Sequence, residues 1–253
     1  MTRYHGGKQR IGKEIANTIF DISTDIEDET EFTIRGYCEP FCGMLGVYQH
    51  IPELFDDDDF HPLKYKAGDM NESVIKMWKA VQRGWVPPNS CSKSTYNRLK
   101  DNRASSVEKG YIGHQYSYGG IYFGKFVGNY GYSTTMKLPP KKVCKIAEDL
   151  IDAKFTAGPY TQFSSLENYI IYCDPPYSKT ECRYSTEDGS RLKFNHEEFW
   201  EWVRRMSRNN IVLVSEYKAP RDFKQVLKQR KTSISRGRKT TGSEKLYLHE
   251  SWL

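Results

Sequence analysis

The sequence predicts an α/β fold built on an open sheet, and three observations carry that prediction. Tyr169-Ile170-Ile171-Tyr172-Cys173 is an unbroken run of apolar and aromatic residues, the pattern of a strand buried on both faces. Asp174-Pro175-Pro176-Tyr177 follows it at once; proline lacks an N–H and fixes φ, so the ladder must stop there. A second strand-like stretch, 31–37, runs into a glycine-bearing turn, Cys38-Glu39-Pro40-Phe41-Cys42-Gly43, and then a predicted helix. Between these stretches lie segments with apolar residues three and four apart, as amphipathic helices have.

Taken in order, the chain opens on Arg3-Tyr4-His5-Gly6-Gly7-Lys8, where paired glycines allow close backbone approach and Lys8 adds a cation. Ile11, Ile15 and Ile19 then predict a helix. The strand at 31–37 carries Phe32, Ile34 and Tyr37. The loop after it lacks both the GxGxxG spacing and a phosphate-loop Gly-Lys-Ser/Thr, which argues against a dinucleotide or a nucleoside triphosphate. Residues 53–59 read as a solvated acidic loop. Residues 65–71 predict a strand ending at Asp69, near the spacing at which a second-strand acid meets ribose hydroxyls. Asn71 or Ser73 caps a helix bearing Val74, Ile75, Trp78 and Val81, which Gly84 and Pro87 end. A helix over 141–152 precedes the 169–173 strand. Residues 178–193 are polar and predict a loop beside the site. Asn195 caps a helix with Phe199, Trp202, Val203 and Met206; Ile211–Ser215 is another buried strand, and 246–253 a terminal one.

At the end of the organising strand, the Asp174 carboxylate and the Pro175 carbonyl are acceptors in a stiffened segment, and Tyr177 offers a flat face. Two acceptors beside a ring suit an exocyclic amine on a planar base. The same residues also make an ordinary Pro-Pro turn after a core strand, so the tetrapeptide alone leaves both open.

Composition bounds the class. The chain has 253 residues with 38% hydrophobic and 28% charged, enough for one large domain or a domain with an insertion. There is no apolar run of about 18 residues and no leader-type hydrophobic stretch after Met1, so an intracellular protein without a membrane span is expected. The six cysteines, Cys38, Cys42, Cys91, Cys144, Cys173 and Cys182, form no CxxC pair and complete no zinc set, so no metal is expected; Cys38 and Cys173, at the ends of predicted strands, are expected to be buried free thiols.

Charge is unevenly spread. Residues 83–145 hold eleven Lys/Arg against two acids, and 217–245 hold ten against two, on a chain of net charge +6. Two basic blocks on an otherwise acidic body point to a polyanion, although either block alone is more simply a solvated surface. Residues 85–139 are rich in Gly, Ser, Asn and Tyr, with aromatics interleaved with lysines, which suits stacking and backbone charge contacts with nucleic acid.

With these stretches laid out, the chain resembles the Dam-like N6-adenine DNA methyltransferases, the DPPY type of the D12 class. Tyr4-His5-Gly6-Gly7-Lys8 is similar to that family's aromatic-x-Gly-Gly-Lys, Glu39-Pro40-Phe41-Cys42-Gly43 to its Glu-Pro-Phe-x-Gly loop, Asp69-Met70-Asn71 to its Asp-x-Asn, and Asp174-Pro175-Pro176-Tyr177 to its catalytic tetrapeptide. The resemblance implies a mostly parallel sheet with a reversed last strand, a cofactor-binding catalytic domain over 1–84 and 141–253, and a target-recognition insert over 85–140. It implies S-adenosyl-L-methionine held by Tyr4, Gly7, Lys8, Glu39, Pro40, Phe41, Gly43, Asp69, Met70 and Asp174. Catalysis falls to Asp174, Pro175, Pro176 and Tyr177, and contact with double-stranded DNA to Lys93, Arg98, Tyr116, Tyr118, Tyr122, Lys125 and Arg183. A cognate restriction endonuclease is a further partner of such enzymes, in the cytoplasm of a bacterium or a virus-infected cell.

The implied reaction moves a methyl group to N6 of a flipped-out adenine. Asp174 and Pro175 would hold the amine, and the base would stack on Tyr177. One departure stands out: the family's loop has a second glycine two residues after the first, and here Leu45 fills that place. A displaced loop or a weaker cofactor site is the expectation. Two alternatives follow. One is an RNA adenine methyltransferase, disfavoured by Asp rather than Asn at 174; the other is a catalytically inactive DNA-binding relative, which Leu45 keeps open.

Overall fold

The computed structural model describes residues 2–55, 62–128, 135–148, 150, 152–177, 194–235 and 238–253, and within 229–244 the backbone alone. In chain order the elements are α1 (Gly12–Glu29), β1 (Gly36–Glu39), β2 (Lys64–Asp69), α2 (Glu72–Gln82), β3 (Ser90–Ser92), α3 (Lys93–Asp101), α4 (Val107–Gln115), β4 (Thr135–Lys137), α5 (Lys141–Glu148), β5 (Lys154–Ala157), β6 (Tyr169–Cys173), α6 (His196–Met206), β7 (Ile211–Glu216), β8 (Phe223–Ser235) and β9 (Arg238–His249). Seven strands form one sheet in the order β5-β2-β1-β6-β7-β9-β8. Neighbours from β5 to β7 run parallel; β9 runs antiparallel to both β7 and β8. This is the mostly parallel sheet with a reversed last strand that the sequence predicts. No helix among the described residues is long and apolar enough to cross a membrane.

The side-chain alternation of β6 divides the core. Ile170 and Tyr172 join a cluster with Ile15 and Ile19 of α1, Val74 and Trp78 of α2, Tyr111 and Ile112 of α4, and Val143 and Ile146 of α5. Tyr169, Ile171 and Cys173 face the other way, onto Phe199, Trp202, Val203 and Met206 of α6. A strand covered on both faces reads as a continuous apolar run, which is why β6 is visible in sequence. Cys38 and Cys173 are buried free thiols, as expected, while Cys182 lies outside the described residues.

Helix ends follow local chemistry. The Asn71 side chain accepts from the Val74 N–H at 3.3 Å to cap α2, and Gly84 beyond its end takes φ +90°. Asn195 accepts from the N–H groups of Glu197 and Glu198 to cap α6, which has Glu197 and Glu198 in its first turn and Arg204 and Arg205 in its last.

The structure departs from the sequence reading in five places. The first strand starts at Gly36, not at residue 31: Ile34 is buried and donates its N–H to Glu27 at 2.7 Å, and Phe32 packs on Trp252, so those apolar residues seat a connection rather than a ladder. After Gly43 there is no α-helix but two short 3-10 turns, Tyr48–His50 and Pro52–Leu54. The segment 85–128 contains α3 and α4, which poor periodicity concealed. α4 carries Gly110 and Gly113 in its interior; glycine weakens a helix signal, yet a Cβ at Gly110 would lie 2.1 Å from the Ser73 carbonyl oxygen. The glycine is what lets α4 press against α2. Strand β5 escapes notice because only Phe155 of its four residues is buried. The terminal strand begins at Arg238, far upstream of residue 246, and pairs with an unforeseen β8. Of the predicted loops, 178–193 lies outside the described residues, as does 56–59 of the acidic one.

Candidate active site

The carboxyl ends of β1, β2 and β6 meet at one edge of the sheet, where ligands sit in open α/β folds. A cavity of about 290 Å³ lies there. Each strand delivers an acid to it: Glu39, Asp69 and Asp174.

The N-terminal segment forms one wall. It is clipped to the end of α4: the Arg3 N–H donates to Gln115 Oε1, and Gln115 Nε2 donates back to the Arg3 carbonyl, both at 2.9 Å. The His5 N–H donates to the Gly120 carbonyl at 3.2 Å. This clip places Lys8 inside the site, buried, with Nζ 2.5 Å from Asp174 Oδ1 and 5.0 Å from the centre of the Tyr177 ring. Lys8 Nζ also donates to the Gly6 carbonyl at 3.2 Å. A cation thus sits between the carboxylate and the aromatic face at the end of β6.

Asp69 organises the floor. Its Oδ2 accepts from the Gly43 N–H at 3.0 Å, its Oδ1 from the Asn71 N–H at 2.8 Å, and the Tyr4 side chain also bonds to it. Burial pushes its carboxyl above the usual range while these donors pull it down. Gly43 has φ +45°, its carbonyl accepts from Trp78 Nε1 at 2.8 Å, and a Cβ there would meet the Tyr4 ring at 2.7 Å. Only glycine fits, and the loop is tied to β2, α2 and the N-terminal wall at once.

Leu45 stands in that loop with φ +53°, the left-handed region that an L-residue enters at a cost of about 1–2 kcal/mol. Its side chain is wholly buried in the core, and its N–H donates to the Cys42 carbonyl at 2.8 Å. The loop is therefore anchored: leucine adopts the conformation a glycine would take, and burial of its side chain offsets the strain.

Glu39 is buried at the end of β1, accepting from the Tyr37 hydroxyl at 2.7 Å. Burial is the main cause that pushes its carboxyl up to about 8; Asp174 adds to the rise, and Tyr37, the Tyr48 backbone and Lys8 oppose it. The opposite wall is aromatic. Phe41 stacks on Tyr160 with centroids 5.6 Å apart and meets Phe194 edge-on at 5.9 Å. The third wall comes from 114–122, where His114 lies 4.6 Å from the Tyr4 ring and 4.9 Å from that of Tyr122.

Of the residues expected at the cofactor, Tyr4, Gly7, Lys8, Glu39, Phe41, Gly43, Asp69, Met70 and Asp174 line this one cavity, and Pro40 is buried behind it. Asp174 and Pro176 of the tetrapeptide line it too; Pro175 is buried and Tyr177 stands beside Lys8, its ring 4.9 Å from that of Tyr217. The residues expected at DNA scatter. Lys93, Arg98 and Lys125 are exposed, and Tyr118 is 73% exposed. Tyr122 faces the cavity. Tyr116 is a correction: it is fully buried, its ring 6.1 Å from Tyr111 and its hydroxyl donating to the Pro88 carbonyl, so it belongs to the core. Arg183 lies outside the described residues. Sequence reasoning missed Tyr160, Phe194, Glu198 and His114 as lining residues. Only Asn195, already visible as a cap, hinted that the start of α6 abuts the site. Among the described residues no group of three or more His, Cys, Asp or Glu is placed to hold a metal ion.

No family model matches the chain, and no curated protein does. Among solved structures, the chain is similar to a candidate RNA methyltransferase from Pyrococcus horikoshii, with 10% identity, 93% of this chain and 83% of that one covered, and a TM-score of 0.42. It is similar to a candidate methylase from Haemophilus influenzae at 12% identity, covering 91% and 98%, with a TM-score of 0.32. It is also similar to magnesium protoporphyrin IX methyltransferase from Synechocystis PCC 6803 with bound S-adenosylmethionine, at 9% identity, covering 96% and 82%, with a TM-score of 0.33. At these scores the likenesses add nothing to what the geometry says.

Proposed function

We propose that this chain transfers a methyl group from S-adenosylmethionine to the N6 amino group of an adenine turned out of duplex DNA. The observation that carries the reading is the seat of Lys8. A nitrogen cation is held there by the Asp174 carboxylate and lies over the Tyr177 ring. Those are the two contacts an exocyclic amine on a flat base would use, and Asp174 lines the cavity.

The donor set fits the cofactor. Glu39 and Asp69 offer acceptors for hydroxyl or amine groups, and the Phe41, Tyr160 and Phe194 rings form an apolar wall for a planar or cationic group. When bound, the cofactor supplies an electrophilic methyl group on a sulfonium sulfur. The chain supplies position. Asp174 and the Pro175 carbonyl accept hydrogen bonds from the two N6–H groups, which takes the nitrogen lone pair out of conjugation with the ring and frees it for attack. Tyr177 stacks on the base and offsets the few kcal/mol lost when it leaves the duplex. Lys8 must leave Asp174 as the amine arrives. The N6 proton departs to solvent after transfer, so the site needs no strong base.

The test is methyl transfer from labelled S-adenosylmethionine to mixed-sequence duplex DNA and to RNA in parallel, with the nucleosides resolved by mass spectrometry. N6-methyladenine in DNA, absent with Asp174→Ala, is the expected result. Label in RNA alone would overturn the DNA substrate and keep the chemistry. Cofactor binding without transfer to either, across DNA covering every short recognition site, would overturn the enzyme and favour a binding protein.

A further inference from the structure

The sheet ends in a ribbon that its own sequence does not explain. β8 and β9 pair continuously from Leu227↔Leu246 to Ser235↔Arg238. β9 pairs with β7 only over Lys245–Leu248. From Gln229↔Glu244 outward the two strands therefore pair with each other and, among the described residues, with no further strand. The direction is set by register. Lys245 pairs with Glu216, the last residue of β7, and β9 runs antiparallel to it. The stretch before Lys245 thus continues past the carboxyl end of β7. Since β7 is parallel to β6, this is the edge at which Asp174 stands. Seven residue pairs at roughly 3.3 Å each carry the ribbon about 20 Å beyond the sheet.

The sequence of the ribbon gives it no core. Within 229–235 and 238–244 the one large apolar residue is Ile234. An isolated two-stranded ribbon is marginal in water, so this one needs a partner that polar residues can hold. Its charged residues are Lys228, Arg230, Lys231, Arg238, Lys239 and Lys245, against Glu244 alone. By register, Lys228 stands opposite Lys245 and Arg230 opposite Ser243, while Lys231 and Arg238 fall on positions of the other parity. Cations thus occur at register positions of both faces, with Ser and Thr between them. Lys, Arg, Ser and Thr are the donors that phosphate oxygens take. A two-stranded ribbon is also one of the two elements that the DNA major groove admits, whereas the deep, narrow major groove of an RNA duplex does not.

We propose that the β8–β9 ribbon is a duplex-DNA contact that grips phosphates beside the site, a surface separate from the basic segment at 83–145; the inference rests on DNA as the substrate. The test uses the full chain carrying Lys228→Gln, Arg230→Gln, Lys231→Gln and Lys239→Gln together. Affinity for a labelled 30-bp duplex is read by fluorescence anisotropy between ~50 and ~200 mM salt. The expected result is at least a ten-fold loss of affinity at the lowest salt. The slope of log affinity against log salt should fall by up to about 3.6, about 0.9 for each phosphate the variant no longer neutralises. Calorimetry with S-adenosylmethionine should give the wild-type value, which shows that the variant is folded. Should it not, the same readout on Lys228→Gln with Lys239→Gln decides, with a slope change of up to about 1.8 expected. Affinity and slope equal to wild type would overturn the proposal, as would a loss seen with an RNA duplex and not with DNA. The two readings fail separately. Transfer to DNA with unchanged affinity of the variant sinks the ribbon alone, and loss of affinity in a protein that methylates nothing sinks the enzyme alone.

Discussion

Strand β6 and the β8–β9 ribbon belong to one sheet and are held by opposite means. β6 has five residues, all buried, parallel neighbours on both sides and a helical layer on each face. The outer ribbon pairs a longer run of backbone and carries one large apolar residue. The first is specified by side chains that leave water, the second by its backbone ladder. Asp174 directly follows a strand that is buried along its whole length, whereas the cations of the outer ribbon lie where β8 and β9 pair, among the described residues, with each other alone.

That contrast can be broken by substitution. The largest effect is expected at the end of β6. Asp174→Ala should lower methyl transfer by about 10²–10³-fold, as loss of a group that stabilises developing charge does, with cofactor affinity by calorimetry within a few-fold of wild type. Within the strand, Ile171→Ala should cost about 3–4 kcal/mol in urea unfolding, since Ile171 is fully buried against the α6 layer. Leu45→Gly should cost less, about 1–3 kcal/mol: the buried side chain is lost, but relief of the left-handed φ returns about 1–2 kcal/mol. A stabilised Leu45→Gly protein would show instead that strain outweighs burial in the loop.

Glu39 gives the pH arm. Its folded value of about 8 stands above the ordinary 4.5, so the folded chain holds a proton that the unfolded chain releases between those values. The contribution to stability is full below about 4.5 and falls as pH rises through about 8, at about 1.4 kcal/mol per pH unit within the window. Urea midpoints measured from pH 5 to pH 8 should fall for wild type and flatten for Glu39→Gln. Parallel curves for the two proteins would remove Glu39 as the cause. The smallest effect is expected on the ribbon, where Thr241→Ala should change stability by no more than about 0.5 kcal/mol.

What could be read without coordinates was local. An apolar run stopped by Asp174-Pro175-Pro176 marks a buried strand and its end, because proline ends a ladder whatever surrounds it. Asn71 and Asn195 mark helix starts because a cap acts within three residues. An acid at the end of each of three strands is visible for the same reason, and those strands needed only to be parallel for the acids to converge. Tertiary structure alone decided the rest. Lys8 reaches Asp174 across 166 residues, and the clip of the N-terminus onto α4 that carries it there joins residues 112 apart. Tyr160, Phe194 and His114 enter the cavity from segments whose own patterns describe only turns and helices. Tyr116, which its glycine-rich surroundings made look like a surface ring, is core because α4 lies against α2. Composition alone cannot aim the second basic block at the carboxyl edge; that follows from the pairing of Lys245 with Glu216. Propensity, capping and chain termination act over a few residues and so are written in sequence order. Pairing between distant strands is chosen by the total surface they bury together, and no short stretch of sequence contains that sum.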